Sequence, residues 1–205
     1  RNRFLIVHCH ACKGVANVLC RSERIRVAAG TLRVDVDQAH VIGAEGSVNV
    51  ADGIAAVPPI MVKSENNPEG TPIEAFDDIR SGVLTDRSQF YRDIAEPFFG
   101  ANREGSNVSQ GAKDDFWRQG MLVNLAAAYD CVKAFSETDF SEDLKSITVP
   151  VLIMHGDDDQ IVPIANSALL SVKLLKNGVL KVYEKFPHGM CTTHADVVNP
   201  DLLAF

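Results

Sequence analysis

A chain of 205 residues, 46% hydrophobic and 23% charged, has the apolar content of one soluble globular domain and too much of it for disorder. A net charge of −7 argues against a nucleic-acid surface, which would need a basic stripe, and no apolar run approaches the ~20 residues of a membrane span. Five cysteines, unevenly spaced, suit a reducing compartment better than a disulfide framework.

No secretory pattern opens the chain, so a cytoplasmic location is expected. Arg1-Asn2-Arg3 lacks a methionine and need not be a native start. Phe4 to Val7 reads as a buried strand running into His8, Cys9, His10 and Cys12, with Cys20 beyond. Thiolate and imidazole suit zinc, but there is one CxxC and no second knuckle, so a turn with incidental thiols is the expectation. Arg24 to Asp37 alternates with period two and reads as a hairpin. Val41 to Ser47 is a short apolar run ending in glycines, without the GxGxxG or the Lys-Ser/Thr of a nucleotide site. Ile54 to Val57 reads as a short strand closed by Pro58-Pro59.

From residue 58 to 148 the pattern turns helical. Thr71-Pro72-Ile73-Glu74 reads as a helix start, with Thr as cap and Pro at the first position. Ile73, Phe76, Ile79 and Val83 then recur near a 3.6 period. Thr85 opens a second helix ended by Pro97, Ser109 caps a third through Phe116 and Trp117, and Leu122 to Phe135 forms a fourth. Such helices between two strands suggest a cap over a pocket. Most of the aromatics in them read as packing core, and Phe116-Trp117 is the pair expected nearest a ligand.

Val149 to Met154 is apolar on both faces, as in a covered strand of a parallel sheet. His155-Gly156-Asp157-Asp158-Asp159-Gln160 follows at its C-terminal end, where such sheets put their ligands. Pro163 starts a helix closed by Asn177-Gly178. Val179 to Tyr183 is the next strand, and Phe186-Pro187-His188-Gly189-Met190 its exit turn. Asn199-Pro200-Asp201 starts a last helix, inside which the chain stops; the natural C-terminus is expected a little further on.

One strand-helix-strand unit separates the acids from His188. Adjacent parallel strands bring both turns to one sheet edge, where a carboxylate can accept an imidazole N–H and leave the other nitrogen as a base. Residue chemistry favours Asp159 over Asp157. His155 reads as a packing or hydrogen-bonding residue, and His194 is a competitor to His188 without turn chemistry around it. Three clustered acids could equally hold a hard cation such as Mg²⁺.

The stretches AVPPIMVKSENNPEG, AYDCVKAFSETDFSEDL, VPVLIMHGDDDQIVP, LKVYEKFPHGM and TTHADVVNPDLLAF resemble the cofactor-free haloperoxidases, or perhydrolase/aryl esterases, of the α/β-hydrolase superfamily. The resemblance covers about residues 55 to 205. It implies an α/β fold with a parallel sheet: residues 1–60 an atypical N-terminal part of the core, 61–145 a helical cap, 146–205 the C-terminal core. It places the triad acid on Asp159 and the base on His188; the candidate substrate contacts Phe116 and Trp117, read from the helix pattern, fall within the cap. It implies ester hydrolysis through a serine acyl-enzyme, with hydrogen peroxide replacing water to give a peracid that oxidises halide. The implied partners are a small acyl donor, H2O2 and halide, with neither metal nor cofactor; a homo-oligomer is compatible with it.

The first quarter departs from that pattern. The family's nucleophile sits in a Gly-x-Ser-x-Gly elbow, and this chain contains no such pentapeptide. Glu45 stands where the serine is expected, and Ser47 lacks the flanking glycines. The alternative reading is therefore an inactive relic, or a binding protein, with the acid and base but no nucleophile.

Overall fold

The structure, a computed structural model, describes residues 50–205 and, as backbone only, the strands β1 (Arg3–Leu5), β2 (Ile25–Val27) and β3 (Gly30–Leu32). β2 and β3 pair antiparallel, with Val27 opposite Gly30. The main sheet is parallel throughout, in the order β1, β4 (Val50–Ile54), β5 (Val151–Gly156), β6 (Gly178–Tyr183). β4 lies four residues earlier than the apolar run at Ile54 to Val57 suggested. Asp52 and Gly53 interrupt its hydrophobicity although Asp52 is buried, and Ala55, at φ 49°, ends the strand.

β5 is the best-covered strand: all six of its residues are buried. Val151 and Ile153 pack on one side with Ala51, Ala168 and Leu175. Leu152 and Met154 pack on the other with Ile54, Tyr183, Met190 and Val198. The period of two sends alternate residues to opposite faces, and helices cover both, which is why the run reads as continuously apolar. α5 (Ala168–Leu174), preceded by a short 3-10 turn at Ile164–Asn166, covers the first face.

Between β4 and β5 lie four helices: α1 (Ile73–Phe98), α2 (Gln110–Leu122), α3 (Leu125–Glu137) and α4 (Ser141–Ser146). Their starts correct the sequence reading in detail. Thr71 does not cap α1. It is held in a parallel bridge to Val62, its N–H on the Met61 carbonyl, so Pro72 takes the cap position. The expected second helix is the second half of α1, and its break falls at Asp86 (φ −150°, ψ 84°), whose Oδ1 accepts the Gln89 N–H at 2.9 Å. Ser109 caps α2 as expected, accepting the Ala112 N–H, and Asn124 does the same for α3.

Pro97 does not end α1. The helix runs to Phe98 and is closed at Gly100 (φ 66°), where Ala101 N–H reaches the Glu96 carbonyl at 2.8 Å and Gly100 N–H the Pro97 carbonyl at 3.2 Å. That is a Schellman closure, and it needs a residue at ease with positive φ. The chain ends in α6 (Met190–Thr193) and α7 (Ala195–Ala204). α7 starts before the Asn-Pro-Asp signal and carries Pro200 inside it.

Candidate active site

The site forms where β5 and β6 end together. Gly156 pairs with Tyr183 as the last rung, and Asp157 N–H on the Tyr183 carbonyl (3.0 Å) extends the contact one step further. The acid turn and the His turn therefore leave the sheet side by side. Gly156 makes the close approach possible: a Cβ there would stand 2.0 Å from the Phe186 carbonyl oxygen.

The three acids have three different partners. Asp157 Oδ1 accepts the Lys185 N–H at 2.6 Å, tying the acid turn to the end of β6. Asp158 receives the Arg103 guanidinium through two bonds, Nε at 2.8 Å and Nη2 at 2.6 Å. Asp159 is buried and turns inward: its Oδ1 accepts the Ile161 and Val162 N–H groups at 2.9 and 2.7 Å, and its Oδ2 the His188 Nδ1–H at 2.8 Å. The acid cluster thus splits by role, with no convergence of its carboxylates. Among the described residues no group of three or more His, Cys, Asp or Glu is arranged to hold a metal.

Because a carboxylate can only accept, the hydrogen of His188 lies on Nδ1 and the lone pair on Nε2, the atom able to take a proton. The ring is buried and stands edge to face on Phe98, centroids 4.7 Å apart. Gly189 N–H donates to the Phe98 carbonyl at 2.8 Å, so the end of α1 holds the His turn in place. Burial works to raise the Asp159 carboxyl. The charge of His188 and hydrogen bonds from His155 and His188 outweigh it, and the group titrates well below the usual carboxylate range. His194 is separate: its ring stacks on Phe186 at 3.8 Å and its Nδ1 lies 2.7 Å from the Thr193 hydroxyl.

Phe116 is buried in the aromatic cluster beneath the cap, 4.6 Å from Phe98, and so one ring removed from His188. Trp117, next in the helix, faces α1 instead: its Nε1–H donates to Ser88 Oγ at 3.2 Å and the Arg92 guanidinium lies 4.4 Å over its ring. Sequence reading placed Phe98 only among the packing aromatics of the cap and did not single out Asn102 or Arg103. Their signal was a Phe-Phe-Gly at the end of a helix, which marks a helix stop but not what the stop rests against. Ser47, the run Val41 to Ser47 and the His8-to-Cys20 cluster lie outside the described residues.

Parallel strands, a helical segment inserted before the acid-bearing strand, and an acid and a histidine on consecutive strand ends are the arrangement of an α/β hydrolase. A family model described as Serine aminopeptidase, S33, matches residues 98–193. The chain is 57% identical over 170 residues to a non-heme haloperoxidase of Rhodococcus erythropolis, covering 82% of this chain and 62% of that one. It is 55% identical over 153 residues to a bifunctional esterase/perhydrolase of Acinetobacter calcoaceticus, covering 74% and 55%. A solved bromoperoxidase from Bacillus anthracis superposes with a TM-score of 0.73 at 34% identity, over 77% of this chain and 57% of that one. The chain belongs to the non-heme haloperoxidase/esterase-perhydrolase subfamily of the α/β hydrolases. It spans about three-fifths of the length of these relatives.

Proposed function

We propose that Asp159 and His188 are the acid and base of a Ser-Asp-His hydrolase, and that the activity they serve is acyl transfer from small esters or carboxylic acids. The observation that carries this reading is the buried 2.8 Å bond between His188 Nδ1 and Asp159 Oδ2 at the end of two parallel strands. His188 Nε2 would take the proton of a serine hydroxyl as it attacks the acyl carbon, and Asp159 would favour the imidazolium formed. The base would return that proton to the leaving alcohol. Water attacking the acyl-enzyme gives the carboxylic acid; hydrogen peroxide gives the peracid and frees the serine. The peracid transfers its terminal oxygen and proton to halide, yielding hypohalous acid and the carboxylate, without a metal. Phe116 and Trp117 remain candidates for the substrate side of the cap.

A fluorophosphonate probe tests the reading. Covalent labelling of the folded chain is expected, and mass spectrometry of the adduct identifies the serine. Ser47→Ala abolishes labelling if Ser47 is the nucleophile and leaves it intact if another serine serves. No labelling and no ester turnover by folded protein would favour the second reading, a non-catalytic member, which rests on the missing Gly-x-Ser-x-Gly.

A further inference from the structure

His155 is the last side chain of β5 before its closing glycine, and it is fully buried. Its Nε2 lies 2.8 Å from the Val162 carbonyl oxygen and 3.2 Å from Asp159 Oδ2. A carbonyl can only accept, so Nε2 carries the hydrogen and donates it to the Val162 carbonyl, with Asp159 Oδ2 beside that N–H. Nδ1 is then a lone pair, and it finds no hydrogen-bond partner among the described residues. Among the described residues, the imidazole is therefore placed by Nε2.

That nitrogen reaches both parts of a small closed unit. Val162 donates its N–H to Asp159 Oδ1 and offers its carbonyl to His155. His155 in turn touches Oδ2, the same oxygen that accepts from His188. With Ile161 N–H, the carboxylate accepts three hydrogen bonds, two on Oδ1 and one on Oδ2, and the His155 Nε2 stands 3.2 Å from Oδ2 as a further polar contact. The backbone pair fixes Oδ1 but leaves the plane of the group free to swing about it. A polar N–H beside Oδ2 restricts that swing and keeps the oxygen towards His188.

We propose that His155 is a positioning residue for the acid-base pair: its Nε2, bonded to the Val162 carbonyl and 3.2 Å from Asp159 Oδ2, sets the orientation of the carboxylate that holds His188. The inference rests on the hydrolase reading for its effect on rate, but not for its effect on the Asp159–His188 bond, which is visible without turnover.

Three measurements on the full chain test it. Nitrogen-15 NMR of labelled histidines in the unmutated protein should find His155 protonated on Nε2; a proton on Nδ1 instead would overturn the proposal without any variant. His155→Leu should shift or broaden the far-downfield Nδ1–H resonance of His188, whereas His155→Gln, which keeps an N–H near the Nε2 position, should retain it. With p-nitrophenyl acetate, His155→Leu should lower kcat about 10- to 100-fold while KM changes little, and His155→Gln should recover most of the loss. A folded His155→Leu with the original resonance and kcat, or a folded His155→Gln as impaired as the leucine, would reduce His155 to packing. If the unmutated chain turns over no ester, the hydrolase reading fails, and the two resonance arms still decide the positioning role.

Discussion

At the scale of single residues, the informative fact is how Asp159 divides its two oxygens. Oδ1 faces only backbone donors and Oδ2 only imidazoles. An amide cannot satisfy both sides. Asp159→Asn, with its oxygen on the backbone, turns an NH2 towards His188 and forces the imidazole into the other tautomer, with Nε2 no longer able to accept. A loss of about 10⁴ in kcat is expected for such a tautomer error, read by ester turnover or by the rate of fluorophosphonate labelling. Stability should follow pH in a defined sense. The carboxyl titrates lower folded than unfolded, so its contribution is complete above the ordinary aspartate value of about 3.9 and is lost as pH falls through the lower, folded value. Urea unfolding at a series of pH values should show a constant gap between the unmutated protein and Asp159→Asn near neutrality that narrows in acid. A gap that widens in acid would contradict the assignment.

At the scale of elements, close approach decides more than propensity does. Gly156 ends β5 and Gly105 lies in a turn, and they differ in what surrounds them. A methyl at Gly156 would run into the Phe186 backbone, whereas one at Gly105 meets nothing within 4 Å and has only φ 78° to contend with. Gly156→Ala should cost on the order of 3 kcal/mol, the upper end of ordinary overpacking, and Gly105→Ala about 1 kcal/mol from the left-handed backbone alone. Urea midpoints measure both. Phe98→Ala should cost about 3–5 kcal/mol as a buried aromatic truncation and lower kcat as well, since the ring lies against His188. The strands and the acid-to-base spacing of this half were legible because β5 is buried on both faces and each turn sits next to its own strand. Helix starts were less legible. Thr71 has the chemistry of a cap but is held by a bridge to Val62, and Pro97 looks like a terminator although the stop is made three residues later by Gly100. In both cases a contact from elsewhere in the chain overrode a sound local signal.

At the scale of the whole molecule, the helical segment is joined to the sheet through polar contacts as well as aromatic ones. Arg103 grips Asp158, and Asn102 exchanges two amide hydrogen bonds with Gln160, at 3.0 and 3.1 Å. Both pairs are exposed, so the ionic one is subject to screening. Arg103→Ala should lower the thermal midpoint slightly at low ionic strength, and the difference should fade in molar salt; a difference independent of salt would mean that packing, not charge, makes the joint. The same contacts show why three adjacent acids could not be fully separated by reading along the chain. Asp158 is set apart by an arginine from the helical segment, and that pairing exists only once the segment has folded over the sheet. No helix among the described residues is long and apolar enough to cross a membrane.

The hydrogen bond from Gly189 to the Phe98 carbonyl has a consequence for how such chains can diverge. It joins main chain to main chain, so no side chain encodes it and any residue type at position 98 could supply the acceptor. What it does demand is reach: the second half of α1 must deliver its last turn at the height of the His turn. Substitutions at its exposed positions Gln89, Arg92 and Asp93 leave that bond untouched, whereas Tyr91, Ala95 and Phe98 are buried and held by packing as well. A single inserted or deleted residue would rotate the final carbonyl by about 100° and release the loop that carries His188. At those exposed positions, selection should act on length before it acts on identity.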